Sequence, residues 1–147
     1  MHIHRNNKAQ EVIATTSLQY FSQVFPVDHN DWKFLYSEVP GNLKSLHNDG
    51  YKIVFITNQA GISKGKVKVE DYRTKAERIQ QKLGVPLQLF CSTSDAGYFR
   101  KPRTGIWDWL EKEGNGGLKV DKVRSFYCGD AAGREAGWMV GKKKDFR

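Results

Sequence analysis

The spacing of hydrophobic positions changes repeatedly along the chain, and each change predicts a switch between β-strand and α-helix. Residues 52–57 contain an unbroken, β-branched apolar run, which is typical of a strand buried on both faces of a parallel sheet. Farther on, apolar residues recur at steps of four, three and four positions, at Tyr72, Ala76, Ile79 and Leu83. This spacing predicts an amphipathic helix, and the Gly84 that follows predicts its end.

The flanking segments continue this alternation. A helix is predicted from Pro40 to a glycine cap at Gly50, and a loop is predicted at residues 61–66. Two further strands are predicted at 87–93 and 123–130, with a helix at 105–113 between them. Alternating strands and helices indicate the α/β class, as a doubly wound, Rossmann-like parallel sheet with right-handed crossovers. The carboxyl ends of its strands would share one edge, where such sheets bind ligands.

Composition limits the size of the protein and the kinds of partner. A chain of 147 residues has room for one core, and a net charge of +8 favours a polyanionic partner, nucleic acid first. We expect no membrane association and no signal peptide, because the start, MHIHRNN, lacks an apolar stretch. A solvated N-terminus is favoured over a metal pair at His2 and His4.

The two cysteines, Cys91 and Cys128, both fall in apolar runs. We therefore expect buried free thiols in a reducing, intracellular compartment rather than a disulfide. We also expect a monomer.

Polar side chains that suit phosphate follow three of the predicted elements. Thr57 and Asn58 end a strand, Lys101 lies in the loop YFRKPRTG, and Asp130 follows the strand that ends YCGD. A hydroxyl and an amide can donate to phosphate, a lysine can neutralise its charge, and a carboxylate can hold Mg²⁺. Each feature alone has an ordinary structural explanation. Thr57 and Asn58 are equally typical of a capped strand end, Lys101 of a surface loop, and Asp130 of a turn. Together they indicate one phosphoryl site at the sheet edge.

The order of these residues resembles a known family. Thr57, Lys101 and Asp130 look like the second, third and fourth motifs of the haloacid dehalogenase superfamily of phosphohydrolases. The resemblance is closer to the polynucleotide kinase 3′-phosphatase family, through VFPVDHNDWKFLY, KIVFITNQAGISKGK, YFRKPRTGIWDWL and FYCGDAAGR. It covers residues 24–146. It implies a haloacid dehalogenase-type fold and removal of a 3′-phosphate from DNA ends with Mg²⁺, hence a nuclear protein of DNA strand-break repair.

The resemblance also implies a role for individual residues. Thr57 and Asn58 match the phosphate-binding motif, Lys101 the charge-stabilising lysine, and Asp130 the Mg²⁺-binding carboxylate. Phe25 resembles the family's aromatic residue near the substrate entrance, and Lys64 falls where the family has a basic residue in the loop after TNQ. Both would suit a single-stranded DNA end, through stacking and phosphate contact. Core packing is an equal alternative for Phe25.

The first motif of the family, DxDGT, is missing from the chain. An ungapped count back from Val24 places residues 10–15 there, with Glu11 at the position of the attacking aspartate and Ile13 at that of the acid/base residue. Isoleucine cannot transfer a proton, and a longer carboxylate misplaces the nucleophile. The polar run at residues 5–10 also gives little of a first strand. We therefore expect impaired or absent turnover.

The resemblance divides the chain into two parts. Residues 1–23 are an atypical segment, and residues 24–147 are a 3′-phosphatase-like domain that we expect to be incomplete at both ends. The sequence contains no GxxxxGK[ST] motif, so we expect no kinase domain. The chain is either a degenerate relative or a fragment of an active enzyme. Its function is a DNA 3′-phosphatase by descent, a non-catalytic DNA-end binding module, or a small-molecule phosphatase of the same superfamily.

Overall fold

The computed structural model describes residues 12–15, 19–20, 32–34, 36–129 and 135–137. Its main feature is a sheet of four parallel strands in the order β5-β4-β1-β6. These strands are β1 (Val12–Thr15), β4 (Lys52–Asn58), β5 (Leu87–Ser92) and β6 (Phe126–Cys128). A separate antiparallel pair joins β2 (Gln19–Tyr20) to β3 (Lys33–Phe34). The parallel sheet confirms the predicted architecture.

The helices lie between the strands in sequence. They are α1 (Val39–Asn48), α2 (Ala60–Ser63), α3 (Val69–Leu83) and α4 (Gly105–Trp109), and α4 continues into a π-helical turn, Leu110–Gly114. Gly84 ends α3 with a left-handed backbone, φ 67°, as its glycine cap predicts. The expected loop at 61–66 was wrong in part, because its first residues belong to α2.

Hydrophobic side chains of β4 alternate between the two faces of the sheet. One face packs against α1 and α3, in a cluster of Leu43, Ile53, Phe55, Ile79, Leu83 and Val85. The other packs against α4 and the π-helical turn, in a cluster of Val54, Ile56, Ile106, Leu110 and Val120. Because helices cover both faces, β4 can be apolar throughout, and the prediction that it is buried on both sides is confirmed.

The last strand is shorter than predicted. The expected strand began at Val123, but β6 begins at Phe126. The side chain of Asp121 accepts hydrogen bonds from the backbone N–H groups of Val123 and Arg124, at 3.1 and 3.2 Å. An aspartate that binds the backbone two and three residues ahead stabilises a turn, which delays the start of the strand.

Strand β1 lies at the centre of the sheet, between β4 and β6. It is built from Val12–Thr15, so the central strand does not need the polar run at 5–10 that the sequence analysis considered. In its register Ile13 pairs with Ile53 and with Phe126. Ile13 therefore lies within β1, beside Ile53, which is four residues before Thr57 on β4.

Neither cysteine is in a disulfide. Cys91 is half-buried, as expected for an apolar strand, but Cys128 is exposed and that part of the prediction was wrong. Near Cys128 the short strand β6 exposes its side chains, since Phe126 and Tyr127 are also about half exposed. Within the described part of the chain, no helix combines the length and apolar character that a membrane span requires.

Candidate phosphate-binding site

The carboxyl end of β4 presents a polar cluster in which Thr57 is central. Its Oγ1 accepts a hydrogen bond of 2.9 Å from Nε2 of Gln59. The backbone N–H of Gln59 donates to the carbonyl of Ser92, at 2.7 Å, and so ties the end of β4 to β5. Thr57 is half-buried, so its hydroxyl is held in place and still reaches the edge of the sheet.

Tyr72 of α3 lies behind this hydroxyl. Burial raises the pKa of Tyr72 to about 12 and the neighbouring Cys91 adds to the rise, whereas hydrogen bonds to Thr57 and Gln59 oppose it. Burial also raises the pKa of Cys91 to about 11. Both groups are therefore protonated and uncharged near neutral pH. Thr57 and Gln59 therefore contact the oxygen of Tyr72, which ties α3 to the end of β4. From its spacing in the sequence, Tyr72 was predicted only to lie on the apolar face of the helix.

The structure brings Lys101 to the same edge. The side-chain amide of Asn58 binds the backbone of Lys101 twice: Nδ2 donates to the carbonyl and Oδ1 accepts from the N–H, each at 3.1 Å. Nζ of Lys101 donates to the carbonyl of Ile56, at 2.9 Å, and lies 3.5 Å from the hydroxyl of Tyr127. The ammonium group is thus fixed between β4 and β6.

The structure adds a second role to the one expected for Asn58. Its side-chain amide is engaged with a backbone 43 residues away, while its expected role in phosphate binding stays a prediction. Asn58 therefore positions the loop of Lys101. Sequence position alone could not show this use of the amide.

Lys64 is paired with a carboxylate that the sequence analysis did not single out. Its Nζ lies 3.2 Å from Oδ2 of Asp95, and both side chains are more than half exposed. A hydrogen bond from Lys64, and its charge, hold the pKa of Asp95 below its usual value. Asp95 lies in the turn after β5, so this pair spans two loops at the sheet edge. It follows that an anionic ligand would have to compete with Asp95 for Lys64.

Several expected site residues lie outside the described residues, namely Glu11, Phe25 and Asp130. Within the described ranges, no group of three or more His, Cys, Asp or Glu side chains could hold a metal ion. The described residues therefore do not by themselves fit Mg²⁺. The register of β1 also pairs Ile13 with Ile53, which is about 13 Å along β4 from Thr57 at about 3.3 Å per residue.

A phosphate group would find two complementary partners at this edge. The hydroxyl of Thr57 can donate to one oxygen, and the ammonium of Lys101 can neutralise the negative charge. The partly buried surroundings strengthen such contacts relative to open water. The described geometry thus gathers a hydroxyl and an ammonium group at one edge of the sheet.

Comparisons with known proteins agree with this chemistry. The profile of a family described as polynucleotide kinase 3 phosphatase matches residues 11–147. The polynucleotide 3′-phosphatase ZDP of Arabidopsis thaliana is 36% identical over 117 residues, covering 71% of this chain and 17% of that protein. Across the first curated relatives, the chain spans 17% to 57% of their lengths.

Two solved structures share the fold. The D,D-heptose 1,7-bisphosphate phosphatase of B. bronchiseptica, complexed with magnesium and phosphate, has a TM-score of 0.64 at 17% identity, covering 72% of this chain and 64% of that one. A HAD-like phosphatase from Mesorhizobium loti has a TM-score of 0.68 at 18% identity, covering 83% and 64%. The fold is therefore of the haloacid dehalogenase type, and the chain belongs to the polynucleotide kinase 3 phosphatase family.

Proposed function

We propose that this chain binds the 3′-phosphate terminus of a DNA strand at the carboxyl end of β4, and that its phosphatase turnover is impaired. The observation that carries the proposal is the position of Lys101, whose ammonium group is anchored at the carbonyl of Ile56 while Asn58 holds its backbone. Thr57 directly follows Ile56 on β4 and carries a hydroxyl at the same end of the strand, which supports a joint role for the two groups. A doubly charged phosphate monoester matches that pair better than a singly charged phosphodiester, because the cation gains more from the greater charge.

The charge of the whole chain supports a polynucleotide as the substrate. A net charge of +8 attracts polyanions and favours rapid encounter with nucleic acid at low salt. The Arabidopsis relative carries the name polynucleotide 3′-phosphatase, which points to the same class of ligand. A role in DNA strand-break repair and a nuclear location follow from this substrate and are part of the proposal, as is a monomeric state.

The missing DxDGT motif supports impaired turnover. A haloacid dehalogenase-type phosphatase needs an attacking aspartate and an acid/base partner, and losing either typically reduces rates by orders of magnitude. What Thr57 and Lys101 do without these groups is bind the phosphate and neutralise its charge. They hold the ligand without transferring the phosphoryl group.

Asp130, which follows β6 in sequence, is the residue that we propose as a Mg²⁺ ligand, through its carboxylate. When bound, the ion would neutralise further negative charge on the phosphate. One structural neighbour was complexed with magnesium. The requirement is tested by measuring the affinity for a 3′-phosphorylated oligonucleotide with Mg²⁺ and with EDTA, and equal affinities would remove the ion from the account.

The test of function compares binding with turnover on the same oligonucleotide. Fluorescence anisotropy measures affinity for 3′-phosphate, 3′-hydroxyl and 5′-phosphate ends, and release of inorganic phosphate measures turnover. We expect preference for the 3′-phosphate end with little or no release. Robust release that Lys101→Met abolishes would contradict the impairment, and hydrolysis of free sugar phosphates without DNA binding would contradict the substrate class.

A further inference from the structure

The loop that carries Lys101 also exposes two aromatic rings. Tyr98 is 56% exposed and Phe99 is 50% exposed, and their centroids lie 5.4 Å apart in an edge-to-face arrangement. Single exposed aromatic residues are common on protein surfaces. Here the pair stands two and three residues before the cation of the phosphate site. The pair occupies a turn that is closed by a hydrogen bond from the backbone N–H of Arg100 to the carbonyl of Gly97, at 3.2 Å.

The loop holds these rings in place without a ligand. The hydroxyl of Tyr98 donates to the carboxylate of Asp108, which also accepts from Oγ1 of Thr104, at 2.9 Å. Tyr98 also packs closely on Gly105, where an added Cβ would lie 2.5 Å from the carbonyl oxygen of Tyr98. Arg100, directly after the pair, donates from Nη1 to the carbonyl of Ser94, at 2.9 Å. A loop already ordered in this way loses less entropy when it binds a ligand.

The charge of the loop itself favours a polyanion that also has flat faces, and the carboxylate of Asp108 beside the rings is already engaged by Tyr98 and Thr104. Residues 98–103 contain Arg100, Lys101 and Arg103 and no carboxylate. Proteins that bind single-stranded nucleic acid combine basic side chains along the backbone with aromatic rings on which bases stack. An acidic peptide would satisfy the cations but would leave the exposed ring faces without a partner.

We propose that Tyr98 and Phe99 form a stacking platform for the terminal bases of a single-stranded 3′ DNA end whose phosphate lies at Thr57 and Lys101. This inference rests on the proposed function and extends it to the nucleotide next to the phosphate. The platform favours unpaired ends, because the last base of a duplex offers only its outer face to the rings, whereas an unpaired base offers both faces. It tolerates any base, since every base has a π-face.

The experiment uses a 3′-phosphorylated oligonucleotide with 2-aminopurine as its last base. Stacking on an aromatic ring quenches the fluorescence of this base, so quenching reports the contact directly and anisotropy reports affinity. For Phe99→Ala and Phe99→Leu we expect loss of quenching and roughly 5- to 150-fold weaker binding, the range of one stacking contact. Phe99→Trp restores both signals. An oligonucleotide with an abasic last position binds wild type and Phe99→Ala equally.

The matched control is Phe126→Ala. Phe126 is 47% exposed, much like Phe99, but it begins β6 near Tyr51, at the opposite edge of the sheet. We expect no change in quenching or affinity for this variant. Quenching and affinity that are the same in wild type and Phe99→Ala, with 3′-phosphate preference intact, would overturn the platform alone. A wild-type protein without preference for 3′-phosphate over 3′-hydroxyl ends would overturn the proposed function, whatever Phe99→Ala does to the quenching.

Discussion

The substitution Lys101→Met removes one charge from the site and leaves the loop that presents it. Both hydrogen bonds between Asn58 and residue 101 use the backbone of that residue, so the variant keeps them. Methionine has a similar length and fills the same space. The main change is loss of the ammonium group, which lies 2.9 Å from the carbonyl of Ile56.

The size of the effect follows from the burial of this group. Two unit charges 4 Å apart interact by about 4 kcal/mol at an effective dielectric constant of about 20, which is an upper bound for a half-buried lysine. Hydrogen bonds to charged groups contribute about 1.5–3 kcal/mol net. We therefore expect Lys101→Met to weaken binding of a 3′-phosphorylated oligonucleotide roughly 10- to 150-fold. Its affinity for the 3′-hydroxyl end should change much less.

Fluorescence anisotropy at fixed salt measures both affinities, and Lys112→Met is the matched control. Lys112 is 83% exposed in the π-helical turn and loses the same formal charge when substituted. We expect less than about a twofold effect there, because a remote exposed charge is screened by salt. Equal losses in the two variants would contradict a specific role of the Lys101 ammonium group, since only the net charge would then matter.

Three further outcomes test the fold and the site. Leu110→Ala, at a fully buried position, should lower the free energy of unfolding in urea denaturation by about 2–5 kcal/mol. Val123→Ala, at a 95% exposed position, should lower it by less than about 0.5 kcal/mol. Similar losses in the two variants would contradict the packing of Leu110 in the core. Asp95→Asn should strengthen binding of 3′-phosphorylated DNA at low salt, because it frees the paired lysine, and weaker binding would show that the carboxylate assists the ligand. At pH 8 iodoacetamide should modify the exposed Cys128 and spare Cys91. The pKa of about 11 keeps Cys91 a thiol until the pH rises towards that value or the protein unfolds. Equal modification of the two cysteines in peptide mass spectrometry would contradict the burial of Cys91.

The elements that the sequence predicts well are those set by local patterns. Strand β4 has an apolar run that only two covered faces can accommodate, and α3 has helical spacing that ends at a glycine. Both extend for several residues, so the pattern is unambiguous. The start of β6 was predicted too early because one side chain, that of Asp121, turns the backbone before the strand begins.

The sequence predicted which described residues share the carboxyl end of the sheet, but not the contacts that they make. The resemblance identified Thr57 and Lys101 as neighbours, and the structure brings both to one sheet edge. The sequence could not show that the side-chain amide of Asn58 binds the backbone of Lys101, or that Lys64 is paired with Asp95. Both contacts depend on how loops that are distant in sequence meet. For the same reason the sequence could not predict which residues of the four-residue strand β1 pair with which residues of β4.

Phosphorus NMR of a 3′-phosphorylated oligonucleotide tests the central claim most directly, because the terminal phosphate and the internal phosphodiesters give separate signals. Wild-type protein should shift or broaden the terminal signal far more than the internal ones, and Thr57→Val or Lys101→Met should largely abolish that difference. Equal perturbation of terminal and internal phosphates by the wild-type protein would contradict a phosphate-monoester site at the end of β4.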